Sequence, residues 1–284
     1  MRAKKSLGQH FLKSERALSV IVTTGNIKAR DAVLEIGPGT GALTEKLLET
    51  GAGIIAVEKD DRFFEFLKNK FEKEIRNEKL ELIHGDILEF DLSKLAARSY
   101  KLVANIPYNI TGTILKKFLG ADCQPEKMVL LVQKEVAERI IGKPHSAKAP
   151  RGKESILSIS VKAYGIVRYV ETVKAGSFAP RPSVDSAIIA IENISKKFFL
   201  DHASGRGKFT EDDFFKTLKT GFKSKRKKLS SNLSVIYSSP KVKEVFHELN
   251  LNDNLRAEDV DRETWQKLAQ NLLTQREPRQ KRGE

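Results

Sequence analysis

A glycine-rich segment, residues 35–41, reads Glu-Ile-Gly-Pro-Gly-Thr-Gly and directly follows a short apolar run. Glycine at a turn between a strand and a helix lets a ligand approach the backbone closely. The spacing is Gly-x-Gly-x-Gly, which differs from the Gly-x-Gly-x-x-Gly pattern of dinucleotide sites and weakens a pyrophosphate interpretation. Such a turn occurs in many α/β folds, so alone it identifies little. It supplies four candidate ligand contacts, Glu35, Gly37, Gly39 and Gly41.

Two carboxylates follow the next two apolar segments. Glu58 closes the second predicted strand, and Asp86 follows Gly85 after the third. A carboxylate in the position of Glu58 can accept hydrogen bonds from both hydroxyls of a ribose, and Asp86 suits an adenine amino group. Each alone is equally compatible with a solvated charge or a turn residue. Together with the glycine-rich segment they stand at the ends of three consecutive strands, where one nucleoside would lie.

The tetrapeptide Asn-Ile-Pro-Tyr, residues 105–108, ends the fourth predicted strand. Adenine N6 is a poor nucleophile because its lone pair is delocalised into the ring. The Asn105 side-chain oxygen and a nearby main-chain carbonyl can accept both N6 hydrogens and turn the lone pair toward an incoming methyl group. Pro107 fixes φ and keeps that carbonyl out of a helix, and Tyr108 offers a face for an extruded base.

Alone, this tetrapeptide is an ordinary exit from a strand. When it follows the motifs of a nucleoside site in the same chain, it predicts methyl transfer from S-adenosylmethionine to an exocyclic amine of a nucleobase. Attack on a sulfonium carbon is an in-line displacement that depends mainly on positioning, so no strong base is required. Asn105, Pro107 and Tyr108 are the candidate catalytic residues.

A third segment, residues 178–182, reads Phe-Ala-Pro-Arg-Pro and precedes the last predicted strand. Phe178 could supply a second face for the base, and Arg181 a phosphate contact. The alternative is that Phe178 belongs to the core and the prolines shape a crossover. The sequence favours neither interpretation.

Short apolar segments alternate with helical patterns as far as residue 191, which predicts a doubly wound, mostly parallel sheet with ligands at the carboxyl ends of its strands. The predicted strands span residues 32–36, 53–57, 80–84, 102–104, 128–132 and 187–191, and the helices between them include 42–49 and 60–73. Spacing alone would start a helix at residues 9–12. Beyond residue 194 the predicted helices are 212–222, 240–249 and 262–273, with one ambiguous strand at 233–237. We expect an α/β catalytic domain at residues 1–194 and a small all-helical RNA-binding domain at 195–284.

Basic residues exceed acidic ones, with 51 Lys and Arg against 37 Asp and Glu and a net charge of +14. The excess is clustered at residues 143–153 and most densely at 219–228, where the candidate phosphate contacts are Lys223, Lys225, Arg226, Lys227 and Lys228. Such clusters predict a nucleic-acid partner rather than a generally basic surface.

Other classes of protein are excluded by composition. No apolar run approaches the roughly 18 residues of a membrane span, so no membrane partner is expected. The single cysteine, Cys123, excludes an intrachain disulfide and a cysteine-based zinc site, and no metal is expected. The simplest compartment is a reducing cytoplasm.

The order of these motifs resembles that of the small-subunit ribosomal RNA adenine N6,N6-dimethyltransferases, the KsgA family. The resemblance covers nearly the whole chain and adds segments at residues 8–12 (Gly-Gln-His-Phe-Leu), 178–186, 222–233 and 256–258. It implies a Rossmann-like class I methyltransferase fold. It also implies that His10 and Leu12 contact the methionine end of S-adenosylmethionine or the edge of its pocket, with Gly37 beside the cofactor. Glu58 would hold the ribose, Asp86 the adenine, and Asn105 would lie near both the methyl group and the target nitrogen.

The resemblance further implies a substrate: two adjacent adenines in the 3′-terminal hairpin of small-subunit RNA, modified late in subunit assembly. The expected partners are the small ribosomal subunit and its rRNA, and the expected form is a cytoplasmic monomer. Two alternatives remain. Large-subunit adenine methyltransferases that confer antibiotic resistance share the cofactor and target motifs, although the Phe-x-Pro-x-Pro-x-Val-Asp-Ser form favours the small-subunit family. The other is a non-catalytic RNA-binding protein on the same fold, against which the intact residues 105–108 argue.

Overall fold

The computed structural model describes residues 9–95, 99–142, 153–200 and 209–273. The chain forms two compact units, one of residues 1–141 with 165–195 and one of residues 142–164 with 196–284. The sequence placed a single boundary after residue 194, so the structure differs in assigning residues 142–164 to the second unit. The reason is packing, because Tyr164 contacts the aromatic rings of Phe199 and Phe215 there. Most of the basic segment 143–153 lies outside the described residues.

The first unit is built on a seven-stranded sheet and a two-stranded ribbon. The strands are β1 (Phe11–Leu12), β2 (Ala32–Ile36), β3 (Gly53–Glu58), β4 (Leu80–His84), β5 (Tyr100–Asn105), β6 (Lys127–Gln133), β7 (Ile166–Val173), β8 (Phe178–Ala179) and β9 (Ser186–Glu192). The large sheet has the order β4-β3-β2-β5-β6-β9-β7, in which β9 runs antiparallel to both of its neighbours and the other pairs are parallel. The ribbon pairs β1 antiparallel with β8.

Helices cover this sheet. They are α1 (Glu15–Gly25), α2 (Ala42–Leu48), α3 (Asp61–Lys70), α4 (Glu72–Arg76), α5 (Thr111–Leu119) and α6 (Lys134–Ile141). The central strands are nearly continuous apolar runs, as expected for parallel strands buried on both faces. Their side chains form the core, in which Val33, Val103 and Leu131 are fully buried. The predicted Rossmann-like sheet is therefore confirmed, with all six predicted strands present.

Three local predictions were wrong. Residues 9–12 do not begin a helix: Phe11 and Leu12 form β1, and α1 starts later, where the Ser14 hydroxyl accepts a hydrogen bond from the Ala17 N–H. Residues 233–237 are not a strand but the end of a short helix and a following turn. Strand β7 was missed because its polar side chains interrupt the apolar run of an edge strand that is only half-buried.

The second unit is helical in its described residues. Its helices are α7 (Ile156–Lys162), α8 (Lys197–Leu200), α9 (Glu211–Gly221), α10 (Leu229–Leu233), α11 (Ser239–Glu248) and α12 (Arg262–Leu273). They pack around Trp265, Phe214 and Phe246, which are fully buried or nearly so. A Cβ on Gly221 would lie 2.3 Å from the Trp265 ring, so only glycine permits this approach of α9 to α12. None of the helices described in either unit is long and apolar enough to cross a membrane.

Candidate cofactor and target-base site

A cavity of about 210 Å³ opens at the carboxyl ends of β2, β3 and β5 and beside the loop that follows β4. Of the nine predicted cofactor residues, six line this cavity: His10, Gly37, Gly39, Glu58, Asp86 and Asn105. Pro107 and Tyr108 line it too. Leu12 and Glu35 line a smaller adjoining cavity of about 30 Å³, whose wall Gly37 and Asn105 share. The structure therefore brings the two sequence motifs to one place in the first unit.

The glycine-rich loop contains three glycines with positive φ, Gly37, Gly39 and Gly41, but their surroundings differ. A Cβ on Gly37 would meet nothing within 4 Å, so the space beside it is open to a ligand. A Cβ on Gly39 would lie 2.8 Å from the Phe11 ring. Gly41 lines neither cavity, and its Cβ would lie 2.6 Å from the Phe71 ring, so the packing of α2 requires this glycine. The geometry does not support the predicted cofactor contact of Gly41.

Two backbone N–H groups hold the Glu58 carboxylate in place. Its Oε2 accepts the Gly39 N–H at 2.9 Å, and its Oε1 accepts the Asp60 N–H at 2.8 Å. Burial raises the pKa of this carboxyl, and the backbone donors offset part of that effect. A carboxylate oxygen has further lone pairs, so Glu58 can still accept hydroxyl donors from the cavity. Fixed in this way, it is suited to a ribose.

Glu35 is fully buried near the carboxyl end of the apolar strand β2. Burial raises its pKa to about 8, and the negative charge of Glu58 adds to the shift. Its Oε2 has no hydrogen-bond partner among the described residues, and neither has the Thr44 hydroxyl, whose influence offsets part of the rise in the pKa of Glu35. A buried polar atom without a partner is costly and is rarely left so unless a ligand satisfies it.

Asp86 is oriented by its own loop. Its Oδ1 accepts the Leu88 N–H at 2.9 Å, and its Oδ2 accepts a hydrogen bond from Lys59 Nζ at 2.6 Å. The Lys59 ammonium lowers the pKa of this carboxyl, so Asp86 is an ionised acceptor. Lys59 lines the cavity as well, although no periodic or motif signal in the sequence distinguishes it from other exposed lysines.

Asn105 has a fixed amide orientation. Its Nδ2 donates a hydrogen bond to the His10 carbonyl at 3.0 Å. A carbonyl only accepts, so the amide cannot be flipped, and Oδ1 remains available as an acceptor. The Pro107 carbonyl accepts the Ile110 N–H at 3.2 Å and keeps a second lone pair, so it can still accept a hydrogen from a bound amine.

Tyr108 is held on two sides. Its hydroxyl hydrogen-bonds Ser186 Oγ at 2.9 Å, and burial raises the pKa of the phenol. The His10 ring stacks on Tyr108 with centroids 5.6 Å apart, and His10 Nδ1 donates to the Pro180 carbonyl at 2.8 Å. His10 therefore covers one face of the proposed stacking platform, a role the sequence analysis did not assign to it.

A family model described as ribosomal RNA adenine dimethylase matches residues 1–274. The chain belongs to this family. A protein of Dehalococcoides mccartyi named Ribosomal RNA small subunit methyltransferase A is 40% identical over 94% of this chain and 88% of its own length. One of the same name from a Nostoc species is 37% identical over 96% of this chain and 98% of its own length.

Solved structures show the same fold. A dimethyladenosine transferase from Plasmodium falciparum superposes with a TM-score of 0.74 at 28% identity, covering 91% of this chain and 96% of that one. The 23S rRNA methyltransferase ErmE superposes with a TM-score of 0.71 at 22% identity, covering 92% of this chain and 99% of that one, a likeness of fold alone.

The segment at residues 178–182 divides into two parts. Phe178 is only 5% exposed, pairs with Leu12 across the ribbon and belongs to the hydrophobic core. The core interpretation therefore fits, and Phe178 lines neither of the two cavities. Arg181 is exposed and follows the proline whose carbonyl binds His10. Leu12 is buried to the same degree as Phe178, so it supports the wall of the smaller cavity from the core.

The predicted phosphate contacts of the second unit lie between α9 and α10. Lys223, Lys225, Arg226, Lys227 and Lys228 are all exposed, and none forms an ion pair with a described residue. Asn232 fastens the segment from within, since its Nδ2 donates to the Gly221 and Ser224 carbonyls at 2.7 and 3.0 Å. Five unpaired cations on an anchored loop are suited to phosphates.

Proposed function

We propose that this protein transfers methyl groups from S-adenosylmethionine to N6 of two adjacent adenines in the 3′-terminal hairpin of small-subunit rRNA, giving N6,N6-dimethyladenosine during small-subunit biogenesis. The observation that carries the proposal is the hydrogen bond from Asn105 Nδ2 to the His10 carbonyl. It leaves a fixed acceptor in the wall of a cavity that also contains Glu58 and Asp86. The names of the relatives support small-subunit RNA as the substrate.

The residues present fit S-adenosylmethionine. Glu58 would accept the ribose hydroxyls and Asp86 the adenine amino group. The open space at Gly37 admits a ligand against the backbone, and the unsatisfied Glu35 Oε2 suits the ammonium of an amino acid. When bound, this cofactor supplies an electrophilic methyl group on a sulfonium sulfur.

The chain's own residues orient the amine. Asn105 Oδ1 accepts one N6 hydrogen and a main-chain carbonyl the other, which reduces delocalisation of the nitrogen lone pair into the ring and directs it toward the incoming methyl group. This contact strengthens as the nitrogen becomes tetrahedral, so it stabilises the transition state more than the bound substrate. Tyr108, held by Ser186, stacks against the base. The alkylated nitrogen is acidic and loses its proton without a dedicated base.

The decisive experiment is transfer of a labelled methyl group to small ribosomal subunits that lack the modification, followed by mapping of the label. We expect label on the two adjacent adenines and none on large-subunit RNA. Asn105→Ala should bind RNA but transfer little label. Label on large-subunit RNA would favour the resistance-type activity, and cofactor binding without transfer to any RNA would favour a non-catalytic RNA-binding protein.

The second unit is proposed to bind RNA phosphates through residues 223–228, and the active form is proposed to be a cytoplasmic monomer. The test is RNA affinity across a salt series. Replacing Lys225, Arg226, Lys227 and Lys228 with alanine should weaken binding and flatten its dependence on salt, whatever the base sequence.

A matched control removes four exposed lysines from the first unit, Lys68, Lys73, Lys79 and Lys94. It changes the net charge equally, so it separates a local contact from a general charge effect. Both variants should keep the cofactor affinity of the wild type. Identical salt slopes for the two variants would show that residues 223–228 make no phosphate contacts of their own.

A further inference from the structure

The loop that follows β4 forms one wall of the cavity without belonging to a helix or a strand. Asp86, Ile87 and Leu88 line the cavity, and Phe90 closes the loop in the core. A single turn, in which the Glu89 N–H donates to the Asp86 carbonyl at 2.9 Å, gives it local order. The Leu88 N–H bond to Asp86 Oδ1 adds to this turn, but both bonds involve Asp86, so the far end of the loop depends on other elements to hold its shape.

Lys117 of α5 supplies that support. Its Nζ donates hydrogen bonds to the Leu88 carbonyl at 2.9 Å and to the Phe90 carbonyl at 2.7 Å. Both bonds are partly buried and carry a charged donor, which makes them stronger than bonds between neutral groups. An ammonium that binds two carbonyls two residues apart fixes the distance between them, and with it the curvature of the loop.

Lys117 also acts on the carboxylate that faces the cavity. Its positive charge favours the ionised form of Asp86, in addition to the direct contact from Lys59. The lysine therefore contributes both to where Asp86 lies and to its state as an acceptor, although it lies outside the cavity lining itself.

The position of Lys117 in the chain adds a second consequence. Helix α5 begins at Thr111, directly after the loop of Asn105 and Tyr108. One helix therefore leads out of the target-base loop at its first residue and holds the cofactor-side loop through its seventh. A shift of either loop would be transmitted to the other through a rigid element.

We infer that Lys117 is a positioning residue for the adenine end of the cofactor site, where it holds the loop of Asp86 and Leu88 so that Asp86 can accept the adenine amino group. This inference rests on the proposed function, because it assumes that S-adenosylmethionine occupies the cavity.

The test is calorimetry with two ligands, S-adenosylhomocysteine and its analogue without the 6-amino group on the purine. Lys117→Met keeps the length and apolar stem of the side chain but loses its donors. We expect the dissociation constant of S-adenosylhomocysteine to rise about tenfold, the scale of one charge-assisted hydrogen bond, and that of the analogue to change much less.

The matched control is Lys127→Met at the opposite ends of the strands. Lys127 is also a partly buried lysine that donates to a backbone carbonyl, that of Thr24 at 3.1 Å, and its loss should lower stability without changing either affinity. Lys117→Arg should restore most of the selectivity for the amino group. Lys117→Gln, with one amide donor group of shorter reach, gives the same two-ligand comparison if the methionine variant does not fold.

An equal loss of affinity for both ligands, or the same result for Lys117→Met and Lys127→Met, would overturn the inference. Failure of the proposed function is distinguishable, because in that case the wild type itself would show no preference for the 6-amino ligand.

Discussion

Two buried glutamates at the carboxyl ends of the parallel strands differ from the acidic residues at the amino ends in having no cationic partner among the described residues. At the amino ends of the parallel strands, Asp31 pairs with Lys101 at 2.6 Å, and Glu192 pairs with Lys127 at 2.9 Å. These lysines are partly buried, and they help to lower the pKa of both carboxyls despite the cost of desolvation. Charges at this edge are neutralised and stabilise the fold.

At the carboxyl ends, Glu35 and Glu58 are more deeply buried, and neither has a cationic partner among the described residues. Burial raises the pKa of both. Other acids at this edge do have cationic partners, Arg62 for Asp60 and Lys59 for Asp86, so leaving Glu35 and Glu58 unpaired is a cost that the fold accepts where a ligand is to bind. The difference between the edges therefore identifies the site independently of its motifs.

The largest effect on the rate of methyl transfer is expected when variants at the two ends of β5 are compared. Asn105→Ala, at the carboxyl end, should slow single-turnover methyl transfer about 10²–10³-fold at saturating cofactor and RNA, because it removes a preorganised contact to the reacting nitrogen. RNA affinity should change little, while some loss of cofactor affinity is compatible with the shared cavity. Lys101→Met, near the amino end of the same strand, should lower stability and leave the rate near normal. Equal rate losses would remove the distinction between the edges.

The second comparison concerns pH and stability, with opposite signs at the two edges. Glu35 keeps its proton in the folded state up to about pH 8 but loses it near pH 4.5 in the unfolded state. The contribution of Glu35 to the free energy of unfolding therefore declines as pH rises between these values, by up to about 1.4 kcal/mol per pH unit. Glu35→Gln should abolish this decline. Asp31 has a lowered pKa, so its contribution is present above its unfolded pKa, near 4, and disappears as pH falls. Asp31→Asn should therefore cost stability at neutral pH. Urea denaturation from pH 2 to pH 9 measures both variants, and a pH dependence of stability identical to that of the wild type in either variant would contradict the assignment.

Ligand affinity provides the third comparison. Glu58→Ala should weaken S-adenosylmethionine binding by about 1.5–3 kcal/mol, the scale of hydrogen bonds to a charged group. Glu192→Ala removes a carboxylate from the opposite edge and should leave affinity unchanged while lowering the melting temperature. Calorimetry of both variants decides the matter, and an unchanged dissociation constant for Glu58→Ala would refute its contact with the ribose.

The smallest effect is expected at Asp86, the cavity carboxylate that pairs with the exposed Lys59. Lys59→Met should raise the pKa of Asp86 toward its ordinary value, since that lysine is the main cause of its lowering. Cofactor affinity at neutral pH should fall only slightly, because Asp86 remains ionised there. Its carboxyl titration, followed by NMR, should move upward in the variant; a titration identical to the wild type would show that the contact is not populated in solution.

The parts of this site that follow short sequence patterns could be predicted. The glycine-rich segment, Glu58, Asp86 and Asn105 each end a strand of apolar residues, and parallel strands bring such ends to one edge. The parts that depend on distant pairing could not. No local signal indicates that His10 meets Pro180 and Asn105, or that residues 11 and 12 form a strand, because the partner strand lies at residues 178 and 179.

Burial was the other property that the sequence did not reveal. Phe178 carries the same side chain whether it faces a base or the core, and only the ribbon β1–β8 decides between them. Gly41 fits the ligand-binding pattern as well as Gly37 does, yet Phe71, thirty residues later, determines that it is a packing glycine. Both outcomes depend on long-range packing rather than on spacing.

The ribbon β1–β8 also sets a point in synthesis before which the enzyme cannot be complete. The His10 carbonyl that orients Asn105 belongs to a segment fastened by residues 178–180, and the hydrogen bond between His10 and Pro180 spans 170 residues. A chain emerging from the ribosome therefore exposes its glycine-rich segment and Asn105 long before this wall can close. A nascent or prematurely terminated chain shorter than about 180 residues contains both the cofactor motif and the target motif, but it lacks the strand that holds His10 in place to orient Asn105. Catalytic activity is therefore expected only after synthesis has passed residues 178–180.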